Sequence, residues 1–176
     1  MTTEEMRNAV ISELLIADNE YNPDNKADNV SIVEDIRKAV TDMADGNSPS
    51  AQHIAKVAVA TNKNVQVRDF IMGLRQEVDY RFVGAYLEYI TELIKKDYAA
   101  PLATVLSSYF YEAGDAEQTQ ELLEQVLEVD PEYSLAKLLM RVVKAGWPGE
   151  SMASMAKELH QKVIDGIYET NSDVEY

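Results

Sequence analysis

No cysteine occurs among the 176 residues of the chain. That excludes disulfide scaffolds, thiolate zinc sites, iron–sulfur clusters and cysteine nucleophiles. Only two histidines are present, His53 and His160. A three-histidine metal site within one chain is therefore excluded, and neither residue has a second histidine four positions on, as a metalloprotease helix requires. Glycine and proline number seven and five, and no glycine-rich phosphate loop is formed, because the closest pair, Gly146 and Gly149, is interrupted by Pro148. No apolar run approaches the roughly 20 residues that cross a bilayer. The opening Met1-Thr2-Thr3-Glu4-Glu5-Met6 lacks the basic and apolar regions of a secretory signal, so a cytoplasmic location is expected. Basic residues are few: 16 Lys and Arg face 31 Asp and Glu, a formal charge of −15. That balance argues against binding nucleic acid through its phosphates and favours a basic partner, or simply solubility.

What remains is helical spacing. Strand-like alternation is not sustained anywhere, and the pattern predicts about nine helices. The first covers about 3–17, with Met6, Val10, Leu14 and Ala17 on one face. A polar segment over 18–28 reads as a loop. Its oxygen ligands alternate as in a calcium loop, but Pro23 sits where the glycine belongs and Asn29 where the glutamate belongs, so an ion site is not expected. A second helix, about 30–44, is followed by Ser48 as the cap of a third, with Pro49 in its first turn. A fourth begins after Asn64. Asp79 caps a fifth that runs to about Lys95, and a sixth spans about 99–113, ending at Gly114. Asp115 caps the seventh, with Gln118 in the capping-box position. Asp130 caps the eighth, with Pro131 in its first position. Gly146-Trp147-Pro148-Gly149 breaks the chain before a ninth helix over about 150–168, and Trp147 is expected to pack back on the eighth. Residues 170–176 are expected to fray.

Residues 100–131 resemble a tetratricopeptide repeat, a 34-residue pair of antiparallel helices. Leu106 and Ser107 match the large and small positions of the first helix, and Phe110 and Tyr111 fall on its aromatic position and the next. Gly114-Asp115 form the turn, Leu123 and Val126 match the second helix, and Asp130-Pro131 close the unit. Ala103 and Thr119 depart from the pattern, which has a large side chain and an alanine there. One period earlier, Gly73, Ala85 and Tyr89 fall on the small, small and aromatic positions. One period later the register is lost at Lys137 and Arg141.

A second resemblance runs over about 64–148. Val67-Arg68-Asp69, Pro101-Leu102-Ala103-Thr104, Ala113-Gly114-Asp115-Ala116, Asp130-Pro131 with Ser134-Leu135-Ala136, and Lys144-Ala145-Gly146-Trp147-Pro148 look like the C-terminal half of an actinobacterial family, also found in phages, known as domain of unknown function four-one-nine-two. Its members usually carry a larger N-terminal region with strands, whereas the 60 or so residues before the match here read as helical. The resemblance implies a small bacterial or phage cytosolic protein and supplies no activity or catalytic residues.

Two features bear on function. Between Lys96 and Lys137 there is no basic residue but nine acids, and Glu117, Glu121, Glu124 and Glu128 fall at i, i+4, i+7 and i+11, one stripe of a helix. Such a stripe is a solvated face, a docking surface for a basic protein, or a mimic of nucleic-acid phosphates. Ten tyrosines outnumber three phenylalanines and one tryptophan, and Tyr109 and Tyr111 are expected either in the hairpin core or beside the stripe on an interaction face. Ser107 and Ser108 lie within a helix, not on a nucleophile elbow. The sequence thus predicts a single all-α domain: N-terminal helices over 1–60, a stack of tetratricopeptide-like antiparallel hairpins over 64–169, and a tail over 170–176. It predicts no catalytic, cofactor or metal site. The expected function is a non-enzymatic protein-interaction module, with a nucleic-acid mimic and a carboxylate enzyme as the alternatives. A homo-oligomer stays open, because Ile11, Leu14, Leu15 and Ile16 exceed what one narrow helix face buries.

Overall fold

The structure, a computed structural model, describes residues 1–169; the expected tail over 170–176 lies outside the described residues. The order is α1 (Thr3–Glu20), α2 (Lys26–Ala44), α3 (Ala51–Lys63), α4 (Val65–Gly73) with a 3₁₀ turn (Leu74–Gln76), α5 (Tyr80–Thr91), α6 (Lys96–Glu112), α7 (Ala116–Val129), α8 (Ser134–Lys144) and α9 (Ser151–Tyr168). Among the described residues every regular element is a helix, as the spacing predicts.

Local chemistry explains most boundaries. Asp79 accepts from the Arg81 N–H and Asp115 from the Gln118 N–H, as expected of caps. Gly114 has a φ of +91°, the left-handed backbone that closes the three-residue turn between α6 and α7 at no steric cost.

Three expected starts are corrected. The cap of α3 is Ser50, which accepts from the His53 N–H, not Ser48, and Pro49 is buried ahead of the helix. Asp130 and Pro131 open a turn closed by the Tyr133 N–H on the Asp130 carbonyl, so α8 begins only at Ser134. Proline at the second position of such a turn is as favourable as in a first helical turn, so the motif fits both. Helix α2 starts at Lys26, inside the expected loop, because Asn25 accepts from the Asp28 N–H. The fifth helix stops at Thr91, and α6 begins five residues before Pro101. Pro101 cannot donate to the Asp97 carbonyl, but nearby the Asn62 amide donates to the Tyr98 carbonyl at 2.7 Å and ties this first turn to α3.

The core has two parts. The larger gathers Val10, Val33, Ile36, Ile54, Phe70, Ile71, Leu87, Ile90, Leu102 and Val105 from α1 to α6, and α9 adds Val163 and Ile167. The smaller joins Tyr111, Leu123, Val126, Leu139, Met140 and Met152 from α6 to α9. Helix α1 lies along α3, α6 and α7 form a hairpin, α8 packs on α7, and α9 returns to α4. Ile11, Leu15 and Ile16 remain exposed on α1, in line with the expected apolar excess, while Leu14 is buried.

Candidate functional site

The α6 and α7 hairpin presents a groove on one side. Helix α7 lines it with Gln118, Glu121, Leu122, Gln125, Val126, Glu128 and Val129, recurrent positions of a single helix face. Helix α6 contributes Lys96, Ala99, Ala100, Ala103, Leu106 and Phe110 with the same periodicity. The end of α5, the turn after it and Arg7 and Ile11 of α1 close the far wall. The Arg7 Nε donates to the Glu92 carbonyl at 2.9 Å and ties α1 to that turn. The groove encloses about 680 Å³. Its floor is apolar: Ile94, Ala103, Leu106 and Val126 are buried, Phe110 and Leu122 are half-buried, and Ile11 and Val129 are exposed at its edges. Ala103, the departure from the tetratricopeptide pattern, is one of the small side chains that keep the α6 wall low.

The four stripe carboxylates are all exposed, and among the described residues none is ion-paired by a Lys, Arg or His. Glu121 and Glu128 border the groove; Glu117 and Glu124 do not. Glu124 accepts instead from Gln120.

Of the two placements expected for Tyr109 and Tyr111, the structure has the core; neither ring lies beside the stripe on an exposed interaction face. Tyr109 is 2% exposed and donates its hydroxyl to the Ile71 carbonyl at 2.7 Å. Burial pushes its pKa up to about 12 even with Arg75 beside it. Tyr111 is 6% exposed and donates to the Trp147 carbonyl. The reason is shared: a hairpin needs bulky side chains in its interior, and each phenol finds a backbone acceptor there. Trp147 is the converse correction. Its backbone N–H reaches the Val142 carbonyl, but its side chain is 54% exposed rather than buried against the helix.

Both histidines carry polar contacts that the sequence does not announce. His160 is buried, and its Nε2 meets Glu77 Oε2 at 2.6 Å. Arg37 grips the same carboxylate with Nε at 2.9 Å and Nη2 at 3.1 Å, and donates through Nη1 to the Tyr168 hydroxyl. Burial pushes the Glu77 pKa up, but the hydrogen bonds from Arg37 and His160 outweigh it and hold the carboxyl below its ordinary value. This cluster joins α2, the segment after α4, and α9. With Glu77 as acceptor, His160 Nε2 carries a hydrogen and Nδ1 is left facing Gly73 without a partner. The signal available in the sequence was weak, since one His, one Glu and one Arg on three separate segments form no motif.

His53 faces a smaller polar depression with Asp35, Lys38, Ser48, Gln52 and Lys56. Its Nε2 lies 2.7 Å from the hydroxyl of the fully buried Tyr86. Burial lowers the His53 pKa to about 4, against a partial pull upward from Asp35. Because the folded value lies below the unfolded one, the neutral ring's contribution is complete above about pH 6.5 and declines as pH falls towards 4. A shift of this size corresponds to about 3 kcal/mol for a fully shielded ring. His53 keeps a solvent-facing edge, so we expect a loss of about 2 kcal/mol between pH 7 and 4. Urea unfolding of the parent and of His53→Gln at both pH values isolates it. An equal loss in both proteins would mean that the ring titrates normally.

Among the described residues, no three His, Asp or Glu side chains are grouped to hold a metal ion, and no helix is long and apolar enough to cross a membrane. The class is therefore an all-α protein whose main surface feature is an open groove beside a helical hairpin. Residues 2–150 match the family described as Domain of unknown function (DUF4192), and the chain belongs to that family. The match covers α1 to α8, so it takes in the N-terminal helices as well as 64–148. No curated protein and no solved structure matches the chain.

Proposed function

We propose that the protein is a non-enzymatic interaction module of the cytoplasm, as the actinobacterial and phage resemblance implies, and that its partner protein docks in the groove beside the tetratricopeptide-like hairpin. The observation that carries this reading is the groove itself. Two helix faces leave Phe110, Leu122 and Val129 partly open to solvent above a buried apolar floor, and carboxylates stand on one rim. A floor of this kind favours apolar contact, while exposed rim charges set the choice of partner and the rate of encounter. The acidic stripe would also suit a mimic of nucleic-acid phosphates. Docking is preferred, because two of the four stripe residues border apolar surface rather than a continuous field of charge.

The test places a photo-crosslinking amino acid at Gln125, on the groove wall, or at Glu158, on the exposed side of α9. In the native cells we expect a discrete protein adduct from position 125 and none from position 158. No adduct at 125, or the same adducts from both positions, would overturn the proposal.

A further inference from the structure

Resting on that reading, we infer that the groove takes a single amphipathic helix of the partner, with an apolar face on the floor and a basic flank along α7. Three observations converge. The lining positions of both α6 and α7 recur at helical spacing, so the groove is the furrow between two packed rods, whose shape fits a third rod. Along α7 the lining runs from Gln118 to Val129, about 16 Å at the helical rise, or three turns of a bound helix. On the α6 wall, Ala99 and Ala103 let another helix approach closely.

Charge selects the occupant. The α7 wall carries Glu121 and Glu128 and no base, whereas the bases of the lining, Arg7, Lys95 and Lys96, stand on α1 and at the start of α6, so charge fixes which flank of the bound helix faces α7. A helix presenting Lys or Arg on that side is attracted, and one presenting acids is repelled. The same argument excludes a second copy of this chain inserting its exposed apolar helix. Residues 1–20 contain five acids and only Arg7 as a base, on a protein of net charge −15.

The probe is a synthetic helix of about four turns, near 14 residues, with leucines on one face and lysines on one flank. Its counterpart carries glutamates in place of the lysines. In fluorescence anisotropy at low salt, we expect saturable binding of the lysine peptide to the full chain, at least about tenfold tighter than the glutamate peptide. Double substitution Glu121→Lys and Glu128→Lys should reverse that preference while leaving the far-ultraviolet dichroism unchanged. Crosslinking from Gln125 should capture the lysine peptide, and from Glu158 should not. Equal affinities, a preference for the glutamate peptide, or capture at Glu158 would overturn the inference. If the peptide fails while Gln125 still yields a cellular adduct, the basic helix is wrong and the docking reading stands. If both fail, both are wrong.

Discussion

Replacing Arg75 with alanine should cost about 4 kcal/mol of folding stability, the largest effect expected from a single substitution here. The Arg75 side chain is only 1% exposed. Its Nη2 donates to Ser108 Oγ at 2.5 Å, its Nε to the Met72 carbonyl at 2.9 Å, and its Nη1 lies 3.4 Å from Glu112. The guanidinium stacks 3.9 Å above the Tyr109 ring. Truncation leaves the Glu112 carboxylate, itself only 11% exposed, in low dielectric without its cation. The penalty for that stranded charge, more than any lost attraction, sets the magnitude. Removing both charges, with Arg75→Met and Glu112→Gln together, should therefore recover much of the loss. Chemical denaturation of the parent and the two variants measures this. An Arg75→Ala variant within about 1 kcal/mol of the parent would mean that the pair is solvated.

Gly73→Ala follows, with an expected loss of about 3 kcal/mol from overpacking and a broken buried hydrogen bond. Backbone preference alone points the other way. Gly73 has an ordinary helical φ of −83°, where alanine is better than glycine by about 1 kcal/mol. The neighbour decides the sign. A Cβ at this position would stand 2.1 Å from His160 Nδ1 and 2.8 Å from its Cγ. The ring is held by Glu77 through Nε2 and cannot yield without giving up that bond. Relief of the clash should show as positive coupling: Gly73→Ala with His160→Ser should be less destabilised than the two single effects added. A Gly73→Ala protein as stable as the parent would show that α4 and α9 stand further apart.

Legibility differed sharply between elements and site. Val33, Ile36 and Val40 announce α2, and all three are buried. Asp79, Asp115 and Gly114 mark their helix ends correctly, because a cap bonds two or three residues along the same chain. Ser48 and Asp130 mislead for a related reason: a serine or an aspartate ahead of a proline suits a turn as well as a cap. The exposed stripe of Glu117, Glu121, Glu124 and Glu128 was legible, since one helix determines it. The groove was not. It depends on how α1 and the turn after α5 sit against the hairpin, and Arg7 reaches Glu92 across 85 positions.

The order of residues thus determined the helical class, the turn at Gly114, the acidic face of α7 and the apolar excess of α1. Each follows from periodicity or bonding within a few residues. Only the tertiary structure decided that Tyr109 and Tyr111 point inward, that His160 fills the space beside Gly73, and that half of the stripe borders an apolar floor. Those facts depend on which face meets which neighbour across 36 positions for Tyr111 and Trp147 and 83 for His160 and Glu77, and on a contact between His160 and the still more distant Gly73. Helical spacing specifies that a face is apolar and leaves open what covers it.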